Sequence, residues 1–146
     1  MGPPRHSAHQ TQWAAQFAVA SELCRRGYGV AFTTGNHPCV DLMVYSPNQV
    51  PFAVDVKGLY KKNFWPVRKQ EPRRDLYYVF AFVPSGPPSR FFVLTQEQVN
   101  QGIEEDFEHY RSIGKKKGQE RDRNLFPGVL WSYAERFESA WDSLPK

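Results

Sequence analysis

Apolar and polar positions recur along this chain with two periods, and the switches between them predict its elements. From Thr11 to Arg26 the alanines Ala14, Ala15, Ala18 and Ala20 favour a helix. Trp13, Phe17, Ala20 and Cys24 recur at steps of four, three and four, which at about 100° per residue puts them on one face, expected to pack inward. Gly27 and Gly29 end the helix, and Arg25 and Arg26 stand where cations suit its C-terminal dipole. Strands are expected at Tyr28 to Thr34, Val40 to Tyr45 and Phe52 to Val56, the last two forming a hairpin through Ser46, Pro47 and Asn48. The almost wholly apolar run Leu76 to Val83 reads as a central strand, with Arg90 to Leu94 as its hairpin partner. Thr95 with Gln98 reads as a capping box opening a further helix. A last helix is expected over Ser132 to Ser143, with Phe137, Ala140, Trp141 and Leu144 inward. Residues 1–9 read as a disordered tail and 10–146 as a single domain. The fold class is α/β, a central mixed sheet of about five strands flanked by helices.

Residues 58–74 break the pattern. Lys61, Lys62, Arg68, Lys69, Arg73 and Arg74 crowd there beside Lys57, opposed only by Glu71, and Pro66 and Pro72 argue against a long helix. Tyr60, Phe64 and Trp65 interleave with the cations. Aromatics among cations suit stacked bases and phosphates; the alternative is a loop that tucks its aromatics onto the sheet edge and leaves its charges in solvent. Lys115, Lys116 and Lys117 between two glycines read as a solvated loop.

Composition narrows the classes. Forty per cent apolar residues over 146 positions suffice for a packed core, which excludes global disorder. No apolar run approaches the ~20 residues of a membrane helix. Met1 to Gln12 is polar, without an apolar signal core. Cys24 and Cys39 are too few for a disulfide framework and are expected to be packing residues. The expectation is a cytoplasmic protein with no membrane partner. A net charge of +4 alone says little about nucleic acid.

The chemistry concentrates in two strands. Asp55 lies inside an apolar run, and Lys57, two residues on, projects to the same face. Charged groups on such a strand are costly unless compensated. The hairpin partner begins with Asp41, so a second carboxylate can come near. Two carboxylates and a lysine suit a divalent cation that keeps several waters, as Mg²⁺ does. The plain alternatives are an ion pair between Asp55 and Lys57 on an exposed edge strand, and an Asp41 that bonds its own backbone.

Asp41 followed by Asp55-Val56-Lys57 resembles the PD-(D/E)xK nuclease superfamily, in particular its small bacterial proteins related to Holliday-junction resolvases. The resemblance also rests on Glu22-Leu23-Cys24-Arg25-Arg26-Gly27-Tyr28-Gly29-Val30, Gly35-Asn36 and Asp41-Leu42. It covers residues 11–58 and fades toward residue 95. Val40 stands where a Pro often precedes the first Asp. The resemblance implies a restriction-endonuclease-like core and a Mg²⁺-dependent endonuclease that hydrolyses phosphodiester bonds in DNA, with Mn²⁺ as a substitute ion. Such enzymes serve repair, recombination or restriction, commonly as a homodimer. Asp41, Asp55 and the Val56 carbonyl would hold the metal, and Lys57 would orient the attacking water and stabilise charge on the phosphate. The basic residues Lys61 to Arg74 would bind DNA, and His37 is a candidate for the scissile phosphate.

Relatives also carry an acidic residue on the first helix. Counting seven residues back from Leu23 gives Gln16, not Glu22. Gln16 lies about 60° from Trp13 and Glu22 about 180°, so Gln16 is expected to face the site and hold a water of the metal's shell. A neutral Gln there weakens the metal site. It also supports an alternative, a catalytically inactive nuclease-fold module that binds nucleic acid or a protein partner.

Overall fold

The computed structural model describes residues 6–33, 40–112 and 127–146. Helix α1 spans Ala8–Arg25 and is opened by a capping box. The Ser7 hydroxyl accepts from Gln10 N at 3.1 Å, and Gln10 Oε1 accepts from Ser7 N at 2.9 Å. The box satisfies amide groups that a helix start otherwise leaves unpaired. The expected tail therefore yields Ser7, Ala8 and His9 to the helix. Seven strands are described: β1 Gly29–Phe32, β2 Leu42–Tyr45, β3 Pro51–Leu59, β4 Trp65–Pro66, β5 Leu76–Phe82, β6 Arg90–Thr95 and β7 Gly128–Val129. Helix α2 spans Gln96–Ser112 and the short α3 spans Trp131–Ala134. Five strands form one sheet in the order β1-β2-β3-β5-β6. The β3–β5 pair is parallel and the other neighbours are antiparallel. The class is thus α/β around a five-stranded mixed sheet. Among the described residues no helix is long and apolar enough to cross a membrane.

Strand parity divides the core. Val54 and Val56 of β3 join Ala15, Val19 and Leu23 of α1 in one cluster. Ala53, Tyr78 and Phe80 join Val99 and Ile103 of α2 in the other. The inward face of α1 differs from the expected one. Thr11, Ala15, Val19, Ala20 and Leu23 are buried, whereas Trp13, Phe17 and Cys24 are exposed. The cause is close packing on Gly58, where a Cβ would lie 2.7 Å from Ala15 Cβ and 3.0 Å from the Thr11 carbonyl oxygen. Small side chains on this face let α1 settle on β3; Trp13 or Phe17 there would hold it off.

Two further expectations change. The chain after α3 is not one helix but two 3₁₀ turns, Glu135–Phe137 and Trp141–Ser143, parted by Ser139 at φ 54°. Trp141 and Leu144 are buried as expected, with Phe137 and Ala140 half-buried. This segment seals the outer edge of β6: Ser139 N donates to Phe91 O at 2.8 Å, and Glu138 accepts two 2.7 Å bonds from Arg90. Residues 60–75, which return the chain from β3 to β5, hold no helix, only β4 paired with β7. Trp65 of β4 is fully buried and stacks on Phe80 and Trp131 at 5.2 and 5.1 Å. For Trp65 the tucked reading therefore holds.

Candidate functional site

The hairpin register pairs Leu42 with Val54. Carried one residue further, it sets Asp41 opposite Asp55. Asp41 stands in the bend just before β2. Asp41 Oδ2 accepts from Val56 N at 2.7 Å, and Oδ1 accepts from Gln16 Nε2 at 3.2 Å. Gln16 thus reaches the acidic pair, while Glu22 is held by Arg25 and Arg26 at 3.6 and 3.5 Å.

Asp55 is only 3% exposed. Lys57 Nζ approaches its Oδ1 at 3.1 Å, an ion-pair contact not aligned as a hydrogen bond. That oxygen is buried, with the Lys57 ammonium as its charged neighbour. Burial pushes the Asp55 carboxyl up to about 6; Lys57 pulls it down, and the adjoining Asp41 carboxylate raises it. Lys57 is half-buried, its ammonium still reachable from solvent. Two facing carboxylates share the Lys57 ammonium, which leaves one carboxylate's charge unmatched by it. A divalent cation suits such a donor set, because Mg²⁺ takes one or two carboxylates and fills its other positions with water. Among the described residues no three of His, Cys, Asp and Glu converge, so water would supply much of the shell.

The Val56 carbonyl, expected to hold the metal, accepts from Gln12 Nε2 at 2.7 Å. Gln12 is a site residue that sequence reasoning missed. Its signal was the pair Gln12 and Gln16, one helical turn apart on the same helix.

The basic stretch does not form one surface. Lys61 and Lys62 follow the end of β3 and lie over the rings of Tyr60 and Trp131 at 5.6 and 5.0 Å. Lys69 is ion-paired with Glu104 of α2. Arg73 grips Asp75 through two bonds of 3.2 and 3.1 Å. Arg68 and Arg74 are exposed. Because β3 and β5 run parallel, the segment carries Arg73 and Arg74 back to the start of β3, where Asp75 O accepts from Ala53 N at 2.7 Å. Only Lys61 and Lys62 stay near the Lys57 end. His37, Cys39 and Lys115 to Lys117 lie outside the described residues.

Comparison of the chain with protein-family models, with curated proteins and with solved structures gave no match.

Proposed function

We propose that this domain is a metal-dependent DNA endonuclease with a restriction-endonuclease-like core, acting in the cytoplasm. One observation carries the reading: Asp41 faces the buried Asp55, with the Lys57 ammonium 3.1 Å from Asp55 Oδ1. Asp41 and Asp55 would hold Mg²⁺, or Mn²⁺ in its place, which would polarise the phosphate and supply an activated water. Lys57 places a positive charge where the transferring phosphate gathers negative charge. Gln16 orients Asp41 by its hydrogen bond, and Gln12 anchors α1 to the backbone of the catalytic strand. Lys61 and Lys62 extend the positive field past Lys57 along the path of a nucleic-acid backbone.

The second reading, an inactive module that binds nucleic acid or a protein, is favoured by one observation. The side chain that meets Asp41 from α1 is the neutral Gln16 rather than an acid.

Plasmid cleavage with Mg²⁺ and with EDTA, paired with calorimetric metal titration, separates the two. Lys57→Ala should lower cleavage by at least about a hundredfold, by loss of transition-state charge stabilisation. Its metal affinity should be equal or higher, because a neighbouring positive charge is gone. Asp55→Ala should lose both cleavage and metal binding. Near-parental cleavage by Lys57→Ala would sink the nuclease reading; DNA binding without any cleavage would establish the module.

A further inference from the structure

The sequence placed Trp13 and Phe17 in the core, yet both rings are exposed. Phe17 is 59% exposed, Trp13 40% and Phe32 of β1 37%. They form one strip. Trp13 stacks on Phe17 at 5.5 Å with an interplanar angle of 28°, and Phe17 meets Phe32 at 5.3 Å. His9 extends the strip, accepting from Trp13 Nε1 at 3.1 Å through Nε2. Mutual contact holds the rings in place before any ligand arrives, which lowers the cost of binding.

The strip adjoins the carboxylates. Gln16, which bonds Asp41, stands between Trp13 and Phe17 in the helix sequence. Thr33, next to Phe32, donates its amide to Asp41 O at 3.0 Å. A cavity flanks α1 by its first turns, lined by Thr11, Gln12, Gly58, Tyr60 and Lys61, with a volume of about 530 Å³. The same stretch of helix therefore carries aromatic faces, Gln16 at Asp41, Gln12 at the Val56 carbonyl and a cavity lined in part by Lys61.

Exposed apolar area of this kind calls for an occupant. Three rings of about 200 Å² each, exposed by a third to three-fifths, offer roughly 300 Å². A stable dimer buries about 800 Å² per partner, so a second copy would need far more than this strip. Flat ligands of ring size match it, and every nucleobase presents such a face. In paired duplex those faces are already stacked on their neighbours.

We propose that Trp13, Phe17 and Phe32 form a stacking platform for unpaired bases. The preferred substrate class is then nucleic acid with unpaired bases next to the scissile phosphate: a single strand, a gap or a branch. This deepens the nuclease reading and rests on it for the word substrate. The platform itself is tested without cleavage.

The test is fluorescence anisotropy in EDTA, with a short labelled oligodeoxythymidylate against a duplex of equal length. The single strand should bind more tightly. Phe17→Ala and Trp13→Ala should each weaken single-strand binding by about tenfold, while duplex binding stays unchanged and Phe17→Trp restores the parental affinity. Parental single-strand affinity in both alanine variants would overturn the platform. So would a duplex preference in the parent, or a parental dimer that Phe17→Ala converts to monomer, which would assign the strip to a second copy. A protein that binds the oligonucleotide through Phe17 yet never cleaves with Mg²⁺ would refute the nuclease reading and keep the platform. Cleavage with binding indifferent to Phe17 would do the reverse.

Discussion

Helices α1 and α2 begin with the same device. Ser7 exchanges hydrogen bonds with Gln10. Thr95 and Gln98 do the same at 2.9 and 3.2 Å. The helices lie on opposite faces of one sheet, but they distribute their side chains differently. Helix α2 buries Val99 and Ile103, and the Tyr133 ring presses on Gly102, where a Cβ would lie 2.6 Å away. Helix α1 buries small side chains around Ala15 and leaves Trp13 and Phe17 outside. One helix spends its apolar surface on the core, whereas the other keeps much of it at the rim of the acidic pair. In the proposed reading, this difference marks the face that meets a ligand.

The sharpest way to break this comparison is to delete one large apolar side chain from each helix. Ile103→Ala should destabilise the fold by about 2–5 kcal/mol through lost burial and a residual cavity. Phe17→Ala should stay within about 0.5 kcal/mol, as most exposed substitutions do. Urea unfolding of the two variants measures both. Equal losses would mean that Phe17 belongs to the core and that the contrast between the helices is false.

A second prediction sets the acidic pair against the packing around it. The Asp55 carboxyl is raised from 3.8 in the unfolded chain to about 6 in the fold. The folded state therefore holds the proton more tightly. Stability from this group is full below pH 3.8 and is lost as pH rises to about 6. At 1.36 kcal/mol per unit the loss is roughly 3 kcal/mol. Asp55→Asn keeps the shape without the charge. It should be more stable than the parent at neutral pH, by up to that amount, and should lack the decline with pH. Mg²⁺ favours the ionised carboxylate, so it should stabilise the parent at neutral pH and leave Asp55→Asn unmoved. Thermal melts across pH, with and without Mg²⁺, check each arm. A parent whose stability rises over the same pH range would contradict the burial of Asp55.

Much of the fold was legible because it rests on local pattern. The apolar run of β5, the turn before β3 and the capping box at Thr95 each carry their own signal. The juxtaposition of Asp41, Asp55 and Lys57 was legible from strand period and a short hairpin. The inward face of α1 was not. Aromatics at helical spacing outweighed Ala15, Val19 and Leu23, which recur at steps of four, and the close approach at Gly58 that selects small residues is a tertiary fact. Gln16 came out at the site because it lies between the two faces. Gln12 was missed although it stands one helical turn before Gln16, because its partner is a backbone carbonyl and not a side chain. The last helix failed at Ser139, whose positive φ serves the pairing of Glu138 and Ser139 with β6.

The smallest effect returns to the shared capping device. Ser7→Ala and Thr95→Ala should each cost about 1 kcal/mol, the usual loss when a hydroxyl cap is removed. Their consequences should then separate. At α2 the first helical residue, Gln96, is fixed by other bonds: its Oε1 accepts from the Tyr78 hydroxyl at 2.6 Å and its Nε2 donates to Asn100 at 2.8 Å. Loss of the Thr95 cap should therefore lower stability and leave the start of the helix ordered. At α1 the first turn is exposed, and the next ties are Thr11, buried against Gly58, and Gln12, bonded to the Val56 carbonyl. Fraying from Ser7 should reach that bond and loosen the helix where Gln12 meets β3 and Gln16 meets Asp41. Amide exchange should speed up through Gln12 in Ser7→Ala, and Mg²⁺-dependent cleavage per folded molecule should fall. In Thr95→Ala cleavage per folded molecule should match the parent. If both variants lose cleavage only in proportion to stability, the cap of α1 serves the fold alone, and the functional difference between the helices begins beyond its first turn.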